Sequence, residues 1–391
     1  MEHFKHALEA LKARDRLRRL PDLPQQGRHI VSDGLKLLNL SSNDYLGLAH
    51  DETLRHAFLA SDTCRELPWS SSSSRLLTGG LPIYHELEAL LAMRYQHEAA
   101  LLFNSGYHAN IGILPALADK KTLILADKLV HASLIDGIRL SDADYLRYRH
   151  NDYAQLERLL EQRAADYRCI IIVTESLFSM DGDMADLPHL VHLKKRYGHV
   201  MLYVDEAHAV GAYGHTGLGL AEVQGCVADI DILTGTFGKA LASVGAFAVC
   251  SSLIKDYLTN HMRPLIFSTA LPPVNIAWTH FLFRQLPGMG ARREHLAKLS
   301  RRLHDAVQTH YPSPVTAAAH SHIIPCVLGS NEAAVKQAQE WQQQGYYCLP
   351  IRPPTIPPDS ARVRLSLTAD ISDDELDGFI DTFTPPTHYS G

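Results

Sequence analysis

The sequence predicts an α/β protein: a large unit with a mostly parallel sheet flanked by helices, then a smaller α+β unit at the C-terminal end. Three observations carry that expectation. Short apolar runs rich in β-branched residues recur between residues 100 and 249. Segments with helical spacing lie between them, and such alternation is the mark of a layered α/β architecture. After the proline-rich PLIFSTALPP at Pro264–Pro273 the composition shifts to a basic helical stretch.

Taken in chain order, MEHFKHALEALKARDRLRRL has charges every few residues and no apolar centre. It reads as an amphipathic helix and not as a secretory signal. In PIYHELEALLAMRYQH the apolar residues Ile83, Leu87, Leu90 and Leu91 fall on one helical face, and Pro82 suits the first turn. The buried-strand readings are Ala100–Phe103, Thr122–Leu125, Cys169–Val173, Val200–Val204, Ile230–Leu233 and Ala246–Val249. Beyond residue 285, ARREHLAKLSRRLHDAV reads as a helix and IIPCVLG, YYCLPI and RVRLSL as strands. A last helix starts at Ser372, an N-cap before Asp373, Asp374 and Glu375. RPPTIPPD, at 352–359, lies between two of those strands and reads as a rigid loop, not a hinge. The expected division is 1–50, a helix and extended segment; 51–285, the large unit; and 286–391, the small one.

With 46% hydrophobic and 20% charged residues the 391-residue chain has the composition of a globular protein. Its formal charge of −6 is mixed in sign along the chain, so there is no basic footprint for nucleic acid. No apolar run has the length of a membrane span. A soluble cytoplasmic protein with no nucleic-acid or membrane partner is expected. The six cysteines form no C-x-x-C pair and read as buried thiols. The 23 histidines form no H-E-x-x-H pair, so no metal is expected.

Lys239, in LTGTFGKALASVGA, stands among small and apolar residues, where desolvation disfavours the charged ammonium and leaves a nucleophilic amine. That is the requirement for a Schiff-base lysine, and pyridoxal phosphate is the cofactor that pairs with one. Asp205 ends the apolar strand VMLYVD, where a carboxylate either caps the next turn or pairs with a cation, here a protonated pyridine nitrogen. His208 follows three residues later. Two other readings fail: Asp205-Glu206-Ala207-His208 spells a helicase box, but Gly238-Lys239 is no P-loop, because Leu233 and Ala240 stand where Gly and Ser or Thr are required. Asn104–Asn110 follows a strand and opens a helical stretch, so it offers backbone N–H groups to a phosphate. Thr236, Ser268 and Thr269 are further hydroxyl donors. The glycines around Lys239 read as letting the backbone approach a flat cofactor.

The ordered set SSNDYLGL, FNSGYHAN, HASLIDG, TESLFSMDGD, VDEAHAVGAYG, TGTFGKA and FSTALPP resembles the α-oxoamine synthases, from about residue 15 to the C-terminus. These are fold-type I pyridoxal-phosphate transferases that join an amino acid to an acyl thioester with loss of carbon dioxide. The resemblance implies Lys239 as the Schiff-base lysine and Asp205 as partner of the pyridine nitrogen. It implies His131 stacked on the ring, and Ser179 and His208 on the phenolic oxygen. Gly106, Tyr107 and Thr236 would hold the phosphate, with Ser268 and Thr269 reaching in from the other subunit of a homodimer. Arg364 would grip the substrate carboxylate, with Arg18, Asn43, His131 and Thr355 also on substrate. IRPPTIP followed by ARVRLSLTA resembles the branch that condenses L-alanine with pimeloyl-CoA or a pimeloyl-carrier protein in biotin synthesis. VDEAHAVGAYG is closer to relatives that join glycine to acetyl-CoA, and WSSSSSRLLTGG departs from the branch's glycine-rich segment. A non-enzymatic relative used as a regulator would be expected to lack one of Lys239, Asp205 or Arg364.

Overall fold

The computed structural model describes residues 1–13, 17, 20–32 and 34–383. Near the N-terminus β1 (Gln25–Gln26), β2 (His29–Ser32) and β3 (Leu35–Asn39) form an antiparallel ribbon. The large sheet comprises β4 (Ala99–Phe103), β5 (Thr122–Asp127), β6 (Asp144–Tyr148), β7 (Cys169–Glu175), β8 (Val200–Asp205), β9 (Ile232–Thr236) and β10 (Ala246–Cys250). The C-terminal strands are β11 (Ile323–Gly329), β12 (Tyr346–Tyr347), β13 (Leu349–Ile351) and β14 (Ala361–Ser366).

The large sheet runs β4-β10-β9-β8-β7-β5-β6. β10 pairs antiparallel with both its neighbours, and the other pairings are parallel. Every residue of β4, β5 and β10 is buried, because helices cover both faces; that is why these strands read as unbroken apolar runs. β6 escaped the sequence reading for the same reason inverted: DYLRY is an edge strand of which only Tyr148 is buried. β9 starts two residues later than expected, since Ile230 still belongs to the turn after the short helix Val227–Asp229.

The helix Pro82–Arg94 buries Ile83, Leu87 and Leu91, with Leu90 half-buried and Pro82 in the first turn as expected. Helix Gly106–Leu117 packs hard on helix Ala132–Leu140. A Cβ at Gly137 would lie 2.3 Å from the Asn110 carbonyl oxygen, so only glycine permits this approach.

YYCLPI is divided at Cys348. Tyr346–Tyr347 joins β3 in parallel, extending the N-terminal ribbon, while Leu349–Ile351 pairs with β14 in the sheet β11-β14-β13. The 352–359 loop connects β13 to β14, as the sequence suggested. Ser372 and Glu375 form a reciprocal capping box at the last helix, Asp373–Ile380. All six cysteines are free thiols. Among the described residues no helix is long and apolar enough to cross a membrane.

Candidate active site

Parallel pairing of β7, β8 and β9 sets their C-terminal ends side by side. Glu175 faces Asp205 in register, and Asp205 faces Thr234. Between β9 and β10 the chain makes a tight return, with Phe237 N–H on the Gly245 carbonyl and Ser243 N–H on the Phe237 carbonyl. Lys239 is carried on that return.

Lys239 Nζ lies 2.8 Å from His208 Nε2. His208 Nδ1 lies 2.7 Å from the Tyr45 hydroxyl, itself 3.0 Å from Asn43 Oδ1. Burial drives the lysine amine down to about 8, against the pull of the Asp205 and Glu175 carboxylates; the Arg364 guanidinium adds to the lowering. Burial and then the Lys239 charge hold His208 well below the usual imidazole range, so the ring is neutral at pH 7. The His322 ring packs against the Tyr45 ring, tilted by 49° with the centroids 3.9 Å apart. It is buried, and neither ring nitrogen has a hydrogen-bond partner among the described residues. Burial, Arg364 and Lys239 push its imidazole down to about 3.

Asp205 is buried and anchored at both oxygens. Oδ1 accepts from the Ala207 N–H at 2.9 Å and Oδ2 from Asn110 Nδ2 at 2.8 Å. Asn110 Oδ1 in turn accepts from the Tyr203 hydroxyl at 2.7 Å. Neighbouring Glu175 accepts from the His131 N–H. Burial and the Asp205 charge raise its carboxyl well above the usual range, in spite of Lys239. Glu206, the second letter of the apparent helicase box, points away: it accepts from Ser176 Oγ and from the Leu220 and Ala221 N–H groups, fixing a helix start.

His131 caps helix Ala132–Leu140; the residue keeps an exposed edge, while burial of the rest of its ring lowers the imidazole below its usual range. Gly106 opens helix Gly106–Leu117, whose N-cap Ser105 accepts from the His108 N–H. An ideal Cβ on Gly106 would be 4.0 Å from the Thr236 Cβ, so this helix start and the end of β9 adjoin. The Tyr107 hydroxyl donates to Asp136, leaving its backbone N–H as the group available at that helix start. Thr236 Oγ1 donates to the Gly245 carbonyl and accepts from the Gly238 N–H. The glycines divide: a Cβ at Gly235 would meet Phe247 at 2.5 Å and one at Gly245 would meet Leu271 at 2.6 Å, so those two serve packing. Gly238 is exposed, and its nearest neighbour would be 3.6 Å away.

Arg364 donates through Nε to the Ser179 carbonyl at 2.5 Å and through Nη1 to Ser366 Oγ at 2.8 Å. Arg362, two residues earlier, is paired with Asp181; Arg364 has no carboxylate partner among the described residues. Ser268 and Thr269 lie beside Asn104 of the same chain, whose Nδ2 donates to the Thr269 carbonyl at 2.9 Å. The serine run pins that segment: Ser71 Oγ donates to the Ala270 carbonyl, and the Ala270 N–H donates to the Ser73 carbonyl. Thr355 sits apart, exposed in a groove of about 620 Å³ shared with Leu8, Leu11 and Leu17. Arg18 lies outside the described residues.

The sequence reading missed Tyr45, Glu175, Tyr203 and His322 as members of this cluster. Glu175 carries the same signal as Asp205, a carboxylate closing an apolar strand. Asn110 stood in the stretch read for phosphate, but its side chain serves Asp205. Nothing in the sequence marks His322.

Residues 36–383 match the family described as aminotransferase class I and II. The 8-amino-7-oxononanoate synthase of Haemophilus ducreyi is 59% identical over 387 residues, covering 97% of this chain and 99% of that protein. Among solved structures, Sphingomonas wittichii serine palmitoyltransferase superposes with a TM-score of 0.89 at 32% identity, over 97% of this chain and 95% of its own. A serine palmitoyltransferase variant from S. paucimobilis, solved with a bound PLP-myriocin aldimine, gives 0.89 at 28% identity, over 97% and 96%.

Proposed function

We propose, from the premise that this chain belongs to the aminotransferase class I and II family and to its α-oxoamine synthase branch, that it makes 8-amino-7-oxononanoate in biotin synthesis. The reaction is the decarboxylative condensation of L-alanine with a pimeloyl thioester, on coenzyme A or a carrier protein, and uses pyridoxal 5'-phosphate. The observation that carries it is the desolvated Lys239 amine, held by a neutral His208 near an arginine left without a carboxylate partner.

The donor set suits that cofactor. An anchored carboxylate, Asp205, suits a protonated ring nitrogen, and the backbone N–H groups of Gly106 and Tyr107 beside Thr236 suit a phosphate. When bound, the cofactor supplies an electron sink for charge developing at the amino acid Cα. Lys239 carries the Cα proton, because an amine near 8 both accepts and returns one at neutral pH. His208, uncharged and bonded to Nζ, orients it without adding a competing positive charge. Arg364 fixes the substrate carboxylate with its remaining N–H groups. Ser179, His131, Asn43, Thr355 and Arg18 take the roles that the family resemblance gives them. The 1–50, 51–285 and 286–391 division belongs to this reading, as does a homodimer in which Ser268 and Thr269 serve the partner's site. Trp69, Leu77 and Phe267, each at least 70% exposed, supply an apolar face near that segment.

Borohydride reduction after cofactor loading should fix the cofactor to Lys239, as read by peptide mass; fixation at another lysine of a fully loaded protein refutes the assignment. A thiol-release assay crossing alanine, glycine and serine with pimeloyl and acetyl thioesters tests the substrates. Preference for glycine with acetyl-CoA overturns the biotin reading and leaves the family intact.

A further inference from the structure

Asn110 is 2% exposed and its amide has no freedom to flip. Its acceptor must face the Tyr203 hydroxyl, and its two N–H groups go to Asp205 Oδ2 and, at 2.9 Å, to Ser133 Oγ. A carboxylate only accepts, so the reverse orientation would set oxygen against oxygen.

Ser133 is also buried. Its oxygen accepts from Asn110, which leaves its own proton to point elsewhere, and His131 Nδ1 lies 2.7 Å away. The Ser133 backbone N–H points at the same nitrogen from 3.2 Å. Two donors therefore converge on Nδ1. A proton on that nitrogen would confront the backbone N–H head on, and a backbone amide has no alternative role to rotate into. Nε2 has no hydrogen-bond partner among the described residues, and the residue is exposed on one side.

We infer that Ser133 and Asn110 are positioning residues that hold neutral His131 with its proton on Nε2, so that the ring meets its ligand as a hydrogen-bond donor and not as a base. The matching chemistry is a carbonyl or carboxylate oxygen. The same Asn110 amide grips Asp205, so one buried side chain sets the geometry of both groups. That the acceptor belongs to substrate rests on the function proposed above; the tautomer does not.

Two-bond proton–nitrogen correlation spectra of the ¹⁵N-histidine-labelled chain test the tautomer, with His131→Gln identifying the resonance. The cofactor-free chain should show His131 protonated at Nε2. Ser133→Ala removes the hydroxyl donor and keeps the backbone N–H on Nδ1, so it should weaken the preference and shift it part-way towards a mixture, and Ser133→Thr should restore it. In turnover, Ser133→Ala should lower kcat about fivefold with the amino-acid KM within about twofold, the loss of one hydrogen bond acting through another residue. A wild-type ring protonated at Nδ1, or an unchanged tautomer in Ser133→Ala, overturns the inference. The wild-type spectrum needs no variant, so a poorly folding substitution leaves the test standing. Failure to load cofactor at Lys239 with the Nε2 proton in place sinks the functional reading alone.

Discussion

Arg364→Lys isolates geometry from charge at the proposed carboxylate grip. The arginine's backbone is fixed on both sides, since β14 pairs with β11 and β13. Two of its donors are spent on the Ser179 carbonyl and Ser366 Oγ, which aim the remaining N–H groups as a planar fork. A lysine keeps the positive charge but reaches a carboxylate as a single point, so one of two charge-assisted hydrogen bonds is lost, about 1.5–3 kcal/mol. That corresponds to about a 10- to 150-fold rise in the amino-acid KM. The assay is steady-state condensation with alanine varied at saturating thioester, beside a cofactor titration on the same protein. Cofactor affinity should be unchanged within about twofold, since Arg364 is assigned to substrate. A KM within threefold of wild type, with full cofactor loading, would refute the assignment of Arg364 to the carboxylate.

In the cofactor-free chain the Lys239 amine, lowered by burial to about 8, is free above that pH and protonated below it. Its rate of reductive methylation, followed by peptide mass, should therefore be half-maximal near pH 8, well below the ordinary lysine value of 10.5. Tyr45→Phe removes the hydroxyl between Asn43 and His208 Nδ1 and leaves a buried imidazole nitrogen unpaired. A fall in kcat of about 5- to 100-fold is expected in stopped or continuous thiol-release assays. His150 bridges Asp127 at 3.0 Å and Asp183 at 2.6 Å, below the loop that carries Ser179. Burial alone would lower its pKa, but the hydrogen bonds to Asp127 and Asp183 push it up to about 10. Because the folded value is raised, the stabilisation is complete below pH 6.5 and lost as pH climbs through about 10. His150→Ala should destabilise by about 1.5–3 kcal/mol in urea unfolding at pH 6, because Asp127 and Asp183 lose their shared cation while still accepting from the Leu129 and Asn151 N–H groups, and by less at pH 10.

Strands covered on both faces were legible because burial imposes a continuous apolar run, and β4, β5, β7, β8 and β10 all announce themselves that way. Lys239 and Asp205 were legible by contrast, as charges set at the ends of such runs. β6 and the two-residue β12 were not, since an edge strand and a short parallel bridge to β3 are made by the neighbours they find. Nor does composition place Tyr45 under His208, or His322 under Tyr45, across more than a hundred residues of chain.

RVRLSL states the division most sharply. By itself the sequence determined a strand and, from its alternation, two arginines on one face. The family resemblance singles out Arg364, and only the tertiary structure supplies the physical reason: it brings Asp181 to Arg362 and leaves Arg364 beside a carbonyl and a hydroxyl. The strand period is a local property of the backbone, whereas a salt bridge depends on which distant loop is folded against that face.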